Sequence, residues 1–183
     1  TPSCSPSGGW PCAEVFPVHR IYCIGRNYAA HAREMGSDPT REPPFFFQKP
    51  NDAIQYVAPG QIADHPYPAL TRNYHYEVEL VAALQHVFGY AVGLDMTRRD
   101  LQGDMKDQKK PWEIGKSFDL SAPIGPIHRV APWRTDRQAL RSLRAQGGDL
   151  IYSGTPENVG AVVRGTRLRD RSHNDRTCMP ERT

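Results

Sequence analysis

The chain has 183 residues, 38% of them hydrophobic, with a formal net charge of +3 and a mean hydropathy of −0.63. That length suits one domain with a core of its own. No apolar run approaches a bilayer span, and the opening from Thr1 to Gly9 lacks the basic-then-apolar order of a secretory signal, so a cytoplasmic protein without a membrane partner is the expectation.

The four cysteines, Cys4, Cys12, Cys23 and Cys178, have neither metal-ligand spacing nor the density of a disulfide scaffold. Residues 1–17 are rich in Pro, Ser and Gly and read as a loose arm. Residues 18–167 read as a single domain, opening with a buried strand from Val18 to Gly25 in which Cys23 is a small core side chain. A short helix is expected next, capped by Asn27 and stopped by Gly36. His31 and Glu34, three residues apart, share a face of that helix and form either an acid/base pair or an ordinary surface contact. The prolines between Arg41 and Pro50 make that stretch extended, and its three consecutive Phe residues are expected to be buried on both sides. Pro59-Gly60 marks a turn.

The segment from Tyr74 to Leu84 starts polar and ends in β-forming apolar residues, as a strand entering a core does. Side chains alternate across a strand, so Glu77 and Glu79 point into the same space. Two like charges that close repel unless a cation lies between them, and carboxylate oxygens favour Mg²⁺, Mn²⁺ or Ca²⁺; the plainer alternative is a solvated strand edge. Gln85-His86 is a poor two-residue turn into a second strand, Val87–Leu94, with Asp95 at its end. A helix is expected from Met96 towards Lys110, with Thr97 and Asp100 in a capping-box arrangement and Pro111 as the stop. Lys116 lies between apolar neighbours, residues 121–127 read as turn and strand, and Arg137–Ala145 as a weakly amphipathic helix. Residues 149–160 read as a strand and a glycine-bearing loop whose amides and Thr155 hydroxyl can hold an anion. The arginine-crowded end, residues 168–183, has no aromatic residues to stack on bases, so a disordered tail is expected rather than a nucleic-acid partner.

The segments Tyr22–Met35, Tyr76–Leu80, Gly89–Gln102, Lys116–Asp119 and Gly148–Pro156, in that order, resemble the fumarylacetoacetate hydrolase family. Arg41–Phe47 and Asp95–Arg99 resemble its bacterial branch that cleaves fumarylpyruvate in gentisate breakdown. The resemblance implies an α+β, mostly β fold, a mixed β-roll that is usually a homodimer. It implies Mg²⁺ or Mn²⁺ held by Glu77, Glu79 and Asp95, and hydrolysis of a C–C bond in an acylpyruvate. It further implies His31 as the base oriented by Glu34, Lys116 as a positive charge beside developing oxyanions, and Arg26, Gln102 and Thr155 as substrate contacts. Oxaloacetate decarboxylation or keto-acid isomerisation would use the same constellation. The chain departs from the family after Leu84, between Ile127 and Gly148, and beyond Arg167, where stretches that add strands to the roll are missing. An incomplete roll is therefore expected, and an inactive remnant stands beside the enzyme readings.

Overall fold

Burial alternates along Arg20–Gly25, with Ile21 and Cys23 fully enclosed, as it must where a strand lays one face on a core. This and the other elements come from a computed structural model that describes residues 4–5, 15–25, 27, 45–84, 87–130, 146–155, 159–169 and 179–181. The strands are β1 (Cys4–Ser5), β2 (Arg20–Gly25), β3 (Phe45–Lys49), β4 (Ile54–Tyr56), β5 (Ile62–Asp64), β6 (Tyr74–Tyr76), β7 (Val78–Ala83), β8 (Gly89–Leu94) and β9 (Thr97–Arg98). After the helices α1 (Arg99–Asp107) and α2 (Glu113–Lys116) come β10 (Ala122–Ile124), β11 (Ile127–Arg129), β12 (Asp149–Tyr152), β13 (Gly160–Ala161), β14 (Arg167–Arg169) and β15 (Met179–Glu181).

Among the described residues, nine strands form one mixed sheet, in the order β1-β11-β8-β7-β12-β2-β3, with β10 also on β8 and β4 on β10. β12 lies between β7, antiparallel, and β2, parallel, and all of its positions are buried, which is why Leu150, Ile151 and Tyr152 read as a continuous apolar run. Ile21, Cys23, Val81, Ala91, Ile124, Ile127, Leu150 and Tyr152 belong to the main core of this sheet. Two three-stranded sheets, β13-β6-β9 and β15-β14-β5, accompany a second core that includes Tyr74, Leu94, Met96, Phe118 and Leu168. There His65 bridges Gln55, at 2.6 Å from Nδ1, and the Tyr74 hydroxyl, at 2.7 Å from Nε2. The mostly β architecture is the one expected.

The segment expected as one strand from Tyr74 to Leu84 is two. β6 is the middle strand of a small sheet, the chain breaks step at Glu77, and β7 enters the large sheet. Its neighbour does the same in reverse, β8 ending in the large sheet at Leu94 and β9 resuming in the small one at Thr97. The crossings lie side by side, because the Asp95 amide donates to the Glu77 carbonyl at 2.8 Å. A change of sheet demands a residue outside either ladder, and residues 77 and 95 are those residues.

Other expectations need correction. The β7–β8 register pairs Ala83 with Gly89, so the second strand starts at Gly89 rather than Val87, and Val87 takes a positive φ of 53° in the connection. The helix expected from Met96 begins at Arg99 and ends at Asp107, because Thr97 and Arg98 pair with β6 first. Asp100 makes no capping box; it accepts from the Thr71 hydroxyl at 2.5 Å and the Arg72 amide at 2.9 Å, tying α1 to the turn before β6. The three Phe residues are not buried on both sides, since β3 is an edge strand and Phe46 is 40% exposed. Phe16, placed in the loose arm, is a core residue, and β1 pairs with β11. β14 and β15 fall within or at the edge of the expected tail, where buried Leu168 anchors the chain. The expected helices at 27–36 and 137–145 lie outside the described residues, Asn27 excepted.

Candidate metal centre and its surroundings

Glu77 and Asp95 stand at the two sheet crossings, and Glu79 follows on β7, opposite Gly93 of β8. Tyr74, Tyr76 and Val78 face the second core, so Glu77 and Glu79, at the alternate positions, face the other way together. Glu77, Glu79 and Asp95 are all buried, and one carboxylate oxygen from each lies within 4.8 Å of the others. The solvated-edge alternative is thereby removed.

Among the described residues, three cations surround the cluster. Lys116, at the end of α2, is buried and places its ammonium 3.0 Å from Glu77 Oε2 and 2.6 Å from Asp95 Oδ2, and donates to the Thr97 hydroxyl at 2.7 Å. Arg99 opens α1 and turns one guanidinium nitrogen to Glu77 Oε1 and the other to Gln102 Oε1, the latter at 2.7 Å. Lys49, at the end of β3, donates to the carbonyls of Met96 and Lys116 and sits 2.9 Å from Asp95 Oδ1. That last contact is an ion pair without a directed hydrogen bond, so Asp95 Oδ1 is buried with its lone pairs uncommitted.

The carboxylates respond oppositely to these neighbours. Burial alone would raise the Glu77 pKa, but Lys116 and Arg99 outweigh it and pull it down to about 2. Burial, then the charges of Asp95 and Glu77, push Glu79 well above the usual carboxylate range. No lysine or arginine bonds to Glu79 among the described residues; the Gly154 amide donates to its Oε2 at 2.8 Å and the Thr155 hydroxyl to its Oε1 at 3.3 Å. The amide and hydroxyl of the loop after β12 are thus directed at the chain's own Glu79 carboxyl group. Burial works against the Lys116 charge, but Asp95 and Glu77 more than compensate and hold its pKa above the ordinary value.

These residues fit a hard divalent ion. The donor set is all oxygen, and among the described residues Asp95 Oδ1 has no hydrogen bond and no lysine or arginine bonds to Glu79. Of the expected site residues, Glu77, Glu79, Asp95 and Lys116 come together, while Gln102 reaches the cluster through Arg99 and Thr155 through Glu79. Arg26, His31 and Glu34 lie outside the described residues. Sequence reasoning passed over Arg99 and Lys49. Lys49 had a usable signal, since it continues the face of Phe45 and Phe47 on β3, an odd place for a solvated lysine.

Residues 20–144 match the family described as fumarylacetoacetate (FAA) hydrolase C-terminal. The chain belongs to the fumarylacetoacetate hydrolase family. Among curated family members, the mitochondrial oxaloacetate tautomerase FAHD1 of Homo sapiens is 33% identical over 196 residues, covering 84% of this chain and 86% of the relative. The oxaloacetate tautomerase YcgM of Escherichia coli is 30% identical over 199 residues, covering 84% and 88%. Those aligned lengths exceed the 183 residues of the whole chain, so both family members carry internal segments that this chain lacks. A crystal structure of fumarylpyruvate hydrolase from Pseudomonas aeruginosa, in complex with Mn²⁺ and pyruvate, shares 47% identity and a TM-score of 0.78, covering 91% of this chain and 90% of that one.

Proposed function

We propose that the protein is a Mg²⁺- or Mn²⁺-dependent hydrolase of acylpyruvates, with fumarylpyruvate as substrate and fumarate and pyruvate as products. The observation that carries this reading is the convergence of Glu77, Glu79 and Asp95 beside Lys116, in a chain 47% identical to a fumarylpyruvate hydrolase crystallised with Mn²⁺ and pyruvate. An ion held by these carboxylates supplies Lewis acidity, polarising the keto oxygen of the substrate. Lys116 adds fixed positive charge where oxyanion character develops. Arg99 and Gln102, joined at 2.7 Å, orient the substrate's carboxylate and carbonyl oxygens, and Arg26 and Thr155 are further contacts in the same role. His31, oriented by Glu34, takes a proton from the attacking water. The hydroxide adds to the acyl carbonyl, the C–C bond breaks with its electron pair going to the pyruvate carbon, and that carbon takes up the proton that His31 had accepted.

The identity to oxaloacetate tautomerases favours a second reading, in which the same residues interconvert the keto and enol forms of oxaloacetate without bond cleavage. Ultraviolet absorbance separates the two. Metal-dependent loss of the fumarylpyruvate band with stoichiometric pyruvate release is expected, and chelator abolishes it. Faster relaxation of the oxaloacetate enol band with no effect on fumarylpyruvate would replace the hydrolase by the tautomerase. No action on either, in folded protein, would leave the inactive remnant. His31→Ala is expected to abolish turnover while Mn²⁺ still raises the melting temperature; Glu77→Ala is expected to abolish that rise.

A further inference from the structure

In a hard-ion site the carboxylates ordinarily supply the charge that neutralises the ion. Here the described residues set as many fixed cations around Glu77, Glu79 and Asp95 as there are carboxylates. Lys116 lies 2.6 Å from Asp95 and 3.0 Å from Glu77, Arg99 pairs with Glu77 Oε1, and Lys49 lies 2.9 Å from Asp95 Oδ1. A divalent ion added to that set leaves the buried cluster with its own positive charge uncompensated. Such a charge is costly away from water, and the substrates of the proposed reaction carry the remedy in their carboxylate groups.

We infer that this chain binds its divalent ion and an anionic keto acid as a mutually dependent pair, with Lys49 as the positioning charge that enforces the dependence. The inference rests on the metal-centre reading above. Lys49 is the informative residue because its side chain is 0% exposed and two of its three N–H donors go to the Met96 and Lys116 carbonyls. It is sealed from any ligand and reaches Asp95 Oδ1 as a charge rather than as a directed hydrogen bond. Lys116 and Arg99 donate hydrogen bonds to the carboxylates, so substitutions there would remove a contact together with the charge.

Direct Mn²⁺ titration of the full chain, read as free Mn²⁺ by electron paramagnetic resonance, tests this without turnover. Pyruvate is expected to tighten Mn²⁺ binding about tenfold, and by linkage Mn²⁺ tightens pyruvate by the same factor. Methyl pyruvate, which has the same adjacent oxygens without the charge, is expected to change Mn²⁺ affinity by less than about twofold. Lys49→Gln keeps an N–H for the carbonyls but removes the charge. It is expected to bind Mn²⁺ alone about tenfold more tightly and to reduce the pyruvate effect below about threefold. Equal Mn²⁺ affinity with and without pyruvate, methyl pyruvate as effective as pyruvate, or a Lys49→Gln protein that binds Mn²⁺ no better than wild type would each overturn the inference. The pyruvate comparison on the unaltered chain stands even if the variant does not fold. No Mn²⁺ uptake under any condition would overturn the metal-centre reading itself, a different failure.

Discussion

Glu77 and Glu79 are two residues apart and are driven in opposite directions, one by cations, the other by burial and like charge. The Thr155 hydroxyl and the Gly154 amide are all that the described residues offer Glu79 as donors, so Thr155→Val is expected to lower Mn²⁺ affinity several-fold through disorder of that carboxylate, measurable in the same titration. A second titrating residue lies away from the site. Burial lowers the His65 pKa from 6.5 to about 4, consistent with a neutral ring that donates from Nδ1 to Gln55 and accepts from the Tyr74 hydroxyl. Its folded pKa lies below the unfolded one, so the unfolded chain binds the proton more readily. The stabilisation is fully present above pH 6.5 and is lost as pH falls towards 4. The fall from 6.5 to about 4, in a residue only 6% exposed, corresponds to about 3 kcal/mol. His65→Gln is expected to flatten the fall in urea midpoint between pH 7 and pH 4, and an unchanged slope would assign acid sensitivity to other groups.

The helices matter to the site through one close approach. A Cβ on Gly115 of α2 would lie 2.8 Å from the backbone nitrogen of Gln102 in α1, so only glycine lets the two helices meet there. That contact brings Lys116 and the Arg99–Gln102 pair around the same carboxylates. Gly115→Ala is expected to cost about 1–3 kcal/mol by thermal melting and to lower turnover further by displacing Lys116. None of this was visible in the chain as letters, because it depends on which helix faces which. The alternation of Glu77 and Glu79 and the placement of Asp95 after an apolar run were visible, since both follow from strand geometry alone. The break at Glu77 was hidden, because a strand that changes partners keeps its period. Thr97 and Asp100 misled because a local capping pattern lost to pairing with β6 and to Thr71, contacts that span 29 positions in the latter case. The partners of Lys49 were hidden because they lie 47 and 67 positions away.

For the whole molecule, the missing internal segments have not removed the second core. Leu168, 1% exposed in β14, packs in the same cluster as Tyr74 and Leu94, the residues that lead into the two carboxylate crossings. Leu168→Ala is therefore expected to cost about 2–5 kcal/mol, read as a lowered urea midpoint, where a disordered tail would give no change. Mn²⁺ is expected to raise the melting temperature progressively with concentration, by mass action on the folded state, and chelator to reverse the rise. The two strand crossings also restrict how the protein can move. Glu77 and Asp95 lie where the chain passes from one sheet to the other, joined through the Asp95 amide, so rocking the small sheet against the large one would strain that hydrogen bond. The Asp95 amide should therefore exchange its hydrogen as slowly as the middle of β7 and β8, opening only when the domain as a whole comes undone.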